Sequence, residues 1–274
     1  MIHGSFLENF RLPLPAFDRL EQLDDRLRPL WKAVRRREAR RVLTEAARLL
    51  DAPEMSLATM RAGLLNALAA ARLQLRHYEA AERMLRLSLA ALPTQWMATR
   101  LLVHLYETQR RYEQASTLLH RLQAQPAGAA WDEPLSETDW HLGLAALAWR
   151  LRRWPTVKAH VRAAFPETTQ MPLTLQADLL RLALYQASPA EALAMARHLL
   201  EHQSDEQTVD MLLQIFVQQG WKQEACTLYR QAYHRYPESE RLRRRLVALC
   251  LQTGAIEEAR RLARLGALSL DVES

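Results

Sequence analysis

The sequence predicts an all-α chain built as an α-solenoid of helix-turn-helix repeats, and three observations carry that prediction. The 274 residues are rich in Leu, Ala, Arg, Glu and Gln, good helix formers, while Gly numbers only 7 and β-branched residues are scarce. A helical segment of one pattern recurs along the chain. Its recurrences keep a spacing near 34 residues, and a period of about 20 to 50 residues sets an architecture before any motif does.

The recurrence is read directly from the residues. Arg76 to Pro93 is RHYEAAERMLRLSLAALP and Arg110 to Pro126 is RRYEQASTLLHRLQAQP, with Tyr78 and Tyr112 34 residues apart. Gly220 to Pro237, GWKQEACTLYRQAYHRYP, and Gly254 to Leu270, GAIEEARRLARLGALSL, repeat the frame with the same 34-residue step. Between them lie Arg152–Pro166 and Ser188–His202, where Val157 and Ala192 take the small-residue place. Ala81, Ala115, Val157, Ala192, Ala225 and Ala259 then follow one another at steps of 34, 42, 35, 33 and 34 residues. A small residue on the second helix lets the first approach closely, large apolar residues at helical spacing fill the gap to the next pair, and Pro closes the unit. One pair cannot bury its own apolar face, so pairs stack.

At these positions the chain resembles the tetratricopeptide repeat family. Tyr78, Ala81, Leu85 and Pro93 follow the family pattern, as do Gly220, Ala225, Tyr229 and Pro237. Tyr112, Ala115 and Leu119 follow it with Pro126 one residue early. Val157, Pro189 in the aromatic place and Gly266 late in the last repeat depart from it. The resemblance implies a right-handed superhelix of about six to seven repeats whose concave face binds another macromolecule, with no cofactor and no chemistry of its own.

Taken in order, residues 1–18 are an apolar N-terminal arm in which Pro13 and Pro15 oppose helix. Such an arm covers an end, lies along its own groove, or docks on a second copy to give a homo-oligomer. Residues 19–53 are strongly helical and form either a divergent repeat or a cap, with Ala39 set 42 residues before Ala81. Residues 54–274 hold the repeats. Their paired helices are expected near 56–75 and 78–91, 95–109 and 111–124, 137–151 and 154–165, 173–186 and 189–202, 205–219 and 221–235, and 239–252 and 255–268. The long step falls in AQPAGAAWDEPLSETDW, whose Pro and Gly mark an insertion loop near 124–137 carrying Trp131, and Ser136 before Glu137 and Asp139 reads as an N-cap.

Several functions are excluded or weakened. The seven glycines never cluster into a phosphate loop. Cys226 and Cys250 lack any metal-ligand spacing and read as buried thiols of a reducing compartment. His198 and His202 share one helix, but HLLEH reads as an exposed polar edge rather than a metal site. No catalytic constellation stands out, so an enzyme is not expected. There is no leader-like or membrane-spanning run, so the expected location is the cytoplasm. Only three of the 37 basic residues are lysines, a bias of GC-rich, bacterial genomes, and the net charge is +6. Arg35–Arg37, Arg40, Arg41, Arg241 and Arg243–Arg245 are the densest cation runs. They leave a nucleic-acid-binding repeat as the alternative, although Glu38, Glu45, Glu238 and Glu240 punctuate them and no aromatic interleaving accompanies them.

The family geometry, carried over by spacing from each small residue, puts Asn66, Arg100, His104, Arg150, Arg181, Asp210, Gln214 and Arg244 on the concave face. That polar, basic set suits a protein or peptide partner with acidic groups. The reading is a scaffold, adaptor or assembly chaperone; the Lys and Asn carboxylate clamp of the family's chaperone-binding members is not matched.

Overall fold

A first helix, a turn and a second helix need a residue in the left-handed region to reverse the chain within a few positions. In the computed structural model of this chain that residue recurs at Arg37, Arg76, Arg110 and Arg152, with φ of 59°, 59°, 59° and 56°, and at Gly220 and Gly254, with φ of 82° and 85°. The hydrogen bonds around it repeat as well. Arg110 N donates to Glu107 O at 3.0 Å and Arg111 N to Tyr106 O at 2.7 Å, and the same two-bond closure joins Gly220 to Val217 and Trp221 to Phe216. This is the Schellman closure that satisfies the last carbonyls of a helix. Five residues after each left-handed residue stands a side chain with almost no exposed surface: Val42, Ala81, Ala115, Val157, Ala225 and Ala259. In the first pair that place is held by Val42, three residues past Ala39.

The structure describes residues 5–13, 24–50, 57–122, 134–167, 170–186, 189–202 and 205–270. Among them are fifteen helices and no strand. Trp131 and most of the expected 124–137 loop lie outside the described residues, as do positions 14–23 of the arm and its junction.

The chain divides into two compact units, Leu7–Pro166 and Glu167–Ser274 together with Met1–Phe6. The N-terminal unit pairs α2 (Arg28–Arg35) with α3 (Ala39–Leu49), α4 (Ala58–Gln74) with α5 (Tyr78–Ala91), α6 (Trp96–Thr108) with α7 (Tyr112–Leu122), and α8 (Glu137–Arg150) with α9 (Trp154–Ala164). A single turn, α1 (Phe6–Asn9), precedes them. The C-terminal unit pairs α10 (Leu173–Tyr185) with α11 (Pro189–His202), α12 (Glu206–Gln218) with α13 (Lys222–Arg235), and α14 (Glu240–Gln252) with α15 (Ile256–Leu270). Within each unit a helix packs on its neighbours in sequence, and first helices touch the next first helix, as α4 does α6 and α10 does α12. That is the one-dimensional stacking of a helical-repeat solenoid.

Each unit has its own apolar core. Leu64, Leu85, Leu102, Leu105 and Leu119 anchor the first, and Leu180, Phe216, Leu228, Tyr229 and Leu246 the second. Ser136 does cap α8, its Oγ accepting from Asp139 N at 3.0 Å. Asp205 and Ser239 cap α12 and α14 in the same way. Cys226 and Cys250 are buried with their sulfurs 3.7 Å apart, and burial pushes the Cys250 thiol up to about 12. No described helix is long and apolar enough to cross a membrane.

The turn makes a sharp prediction. A left-handed backbone costs an L-residue about 1 kcal/mol, so Arg110→Gly is expected to raise the unfolding free energy by about 0.5 kcal/mol, part of the relief being cancelled by the freer unfolded glycine. Gly220→Ala should lower it by about 1 kcal/mol from conformation alone, because an added Cβ would meet nothing within 4 Å. Urea unfolding reads both, and the same sign for the two changes would contradict the shared turn.

Candidate functional site

The polar residues selected by spacing fall into three groups. Asn66 has no exposed surface: on α4 it donates from Nδ2 to Gln95 Oε1 at 2.8 Å, inside a network that also takes Ser88 Oγ at 3.1 Å. Gln95 in turn donates to the carbonyls of Ser88 at 2.8 Å and Leu92 at 2.6 Å. Asn66 therefore ties α4 and α5 to the start of α6, and does not reach a face. The expectation that it contacts a ligand is corrected on that ground: a helix in the middle of a stack has positions facing its own partner one turn from those facing out.

In the C-terminal unit Asp210 is also without exposed surface. It accepts from Tyr229 Oη at 2.7 Å and Gln214 Nε2 at 3.0 Å and pairs with Arg241 at 2.7 Å. Its expected place on the concave face is likewise corrected: it is an internal anion that joins α12, α13 and α14. Gln214 is engaged by Asp210, Arg181 pairs with the buried Asp178 at 3.2 Å, and exposed Arg244 pairs with Glu240 one helical turn away. Ser5 donates to the same Asp178 at 2.8 Å.

The third group lies in the N-terminal unit and is the candidate site. Arg100 on α6 and Arg150 on α8 belong to the first helices of successive pairs, and both are engaged by main-chain carbonyls of the arm. Arg100 donates to Pro13 O, at 3.0 Å from Nε and again from Nη2. Arg150 donates from Nη2 to Glu8 O at 2.9 Å and to Phe10 O at 2.6 Å, while its Nη1 meets Glu107 Oε1 at 2.9 Å. The forked guanidinium thus divides its donors between an internal carboxylate and a peptide backbone.

Side chains complete the seat. Leu12, at 6% exposure, belongs to the core of this unit and Phe10 packs against it; Leu7 is buried at 0%, whereas Glu8, Asn9 and Arg11 are exposed. Gly143 on α8 makes room for Leu12: a Cβ there would stand 2.6 Å from Leu12 Cδ2 and 2.9 Å from Leu119 Cδ2. His104, half-buried on α6, is held below its ordinary pKa by burial and by the Arg11 charge. Glu107, absent from the set chosen by spacing, is buried, and burial pushes its carboxyl up to about 7, with the Arg11 charge opposing the rise. The salt bridge to Arg150 at 2.9 Å also favours the carboxylate form. A glutamate at the end of a first helix gave no signal in the sequence beyond lying seven residues, two helical turns, after Arg100.

A second cluster also escaped sequence reading. His120, His141 and His160, from α7, α8 and α9, come together around Trp140, with His141 Nδ1 3.1 Å from His160 Nδ1. Trp140 Nε1 donates to Leu119 O at 2.8 Å. Nine dispersed histidines offered no spacing to join residues on three helices.

The chain is, by class, an all-α helical-repeat stack. No protein-family model matches it, and no curated protein matches it. Among solved structures 23 chains match. One belongs to the crystal structure of the APC/C hetero-tetramer Cut9-Hcn1, at 14% identity and a TM-score of 0.43, the match covering 85% of this chain and 43% of that chain. This chain spans less than half of that chain's length, and so remote a likeness brings no partner with it.

Burial, with His141 and His120 beside it, holds His160 down at about 4. An unfolded histidine takes its proton near 6.5. Between those values the unfolded chain is protonated where the folded one is not, so this contribution to stability is complete above about pH 6.5 and is lost as pH falls toward 4. His160→Gln should flatten that part of the dependence of the urea midpoint between pH 7 and pH 5; an unchanged slope would show that His160 does not titrate this way.

Proposed function

We propose that the chain is a protein–protein interaction module whose N-terminal unit receives a segment of a partner polypeptide on the face of its first helices. One observation carries the reading. Two arginines from separate helical pairs hold three main-chain carbonyls of a non-repeat segment, while that segment's apolar side chains enter the stack. Donors aimed at backbone oxygens, with pockets for alternate side chains, are how a surface recognises a polypeptide rather than a small molecule. A scaffold, adaptor or assembly chaperone needs such a face and no catalytic group.

The placement of charge supports a protein partner over nucleic acid. Arg41 is paired with both Glu38 and Glu45, Arg241 with Asp210, and Arg244 with Glu240. Cations balanced this closely by carboxylates release few counterions on meeting phosphate.

The test uses the full chain carrying Leu12→Asp, which places a charge where the arm is buried and frees the face. A fluorescent peptide of residues 5–16, SFLENFRLPLPA, is expected to bind it saturably by anisotropy. Adding Arg100→Gln or Gly143→Ala should weaken that binding by about tenfold, equal to about 1.4 kcal/mol. If the Leu12→Asp chain unfolds cooperatively yet binds no peptide, the face is not a polypeptide site.

A further inference from the structure

We infer that residues Leu7–Pro13 are a built-in competitor for this face: they imitate the partner's segment, and the face stays closed to the partner until they leave. The inference rests on the reading of the face as a polypeptide site and adds what the ligand looks like and how access to it is controlled.

Three observations carry it. The segment stands outside the repeat. Among the described residues it has no paired second helix and no left-handed turn, and ten residues of sequence join Pro13 to Asp24, where the first turn before α2 begins. Its contacts are those of a ligand, with backbone carbonyls on Arg100 and Arg150 and inward side chains that are all apolar. Its seat is also shaped for it, because Gly143 leaves a gap that Leu12 fills and that the Cβ of an alanine would enter, forcing the Leu12 and Leu119 side chains to shift.

Two features make the arm exchangeable. Of its side chains Leu7 and Leu12 are buried, while every residue it orders loses backbone freedom. Being part of the same chain, it acts at an effective concentration on the order of 1 mM, which a free peptide of equal affinity must match to displace it.

The pattern also defines the partner's chemistry. Glu8 and Arg11 are exposed, and what Arg100 and Arg150 take from the segment is its main-chain carbonyls, with Glu107 the internal counter-ion of Arg150. The segment that fits carries large apolar side chains at the places of Leu7, Phe10 and Leu12 and a following proline, and offers its main-chain carbonyls to the two arginines.

The experiment compares the full-length wild type with full-length Leu7→Asp and Leu12→Asp chains, using the labelled 5–16 peptide. Wild type is expected to bind about 10- to 100-fold more weakly than either variant. A peptide with Phe10→Asp should fail to bind the variants. Equal affinity for wild type and both variants would overturn the competitor while leaving the face intact. No binding to either folded variant would overturn the face itself, and undiminished binding by the Phe10→Asp peptide would overturn the apolar pattern.

Discussion

A side chain no larger than valine, five residues past a left-handed backbone turn, sets how closely two helices approach in each pair for which the turn is described. Val42, Ala81, Ala115, Val157, Ala225 and Ala259 are all essentially without exposed surface. A larger side chain there would wedge the helices apart and forfeit the dispersion contacts that close packing supplies. Because stability in a stack is a sum of neighbour terms, this one approach, repeated, also fixes where the first helices stand relative to one another within a unit. Arg100 and Arg150 can reach the same seven-residue segment only because α6 and α8 are held at that repeat distance.

The period, the helix spans and the small-residue places were legible in the sequence because they are local properties that recur. The ends of α5 and α11 fall at Tyr78, Ala91, Pro189 and His202, the residues at which the pattern itself starts and stops. The turn was less legible. Glycine announces it at Gly220 and Gly254, but arginine occupies the same conformation at Arg37, Arg76, Arg110 and Arg152, where only its spacing to the buried small residue reveals it.

The candidate site was legible in part. Spacing found Arg100, His104 and Arg150, which the structure gathers in one unit. It also selected Asn66 and Asp210, which are internal, because a one-turn offset separates an outward position from one facing the next helix and spacing alone does not resolve that offset. Glu107 was missed since a single buried carboxylate leaves no periodic trace. The histidine trio on α7, α8 and α9 was missed for a related reason: its members are neighbours only after three helices have packed. The cysteines, too, read as independent thiols until α13 and α14 brought their sulfurs to 3.7 Å.

The arm turns a face of arginines into a face already in contact with peptide backbone, and that changes what its charge is for. In a partly buried setting a guanidinium that lacks a partner is costly, so carbonyls of the chain's own arm stabilise this face. The most direct measurement of this docking is the rate at which trypsin cuts after Arg11 in the intact chain, followed by mass. Docked, the bond should be cut at least about tenfold more slowly than in the free 5–16 peptide, and Arg150→Gln should restore much of the lost rate. Cleavage of the wild-type chain as fast as the free peptide would contradict an arm held on the α6 and α8 face.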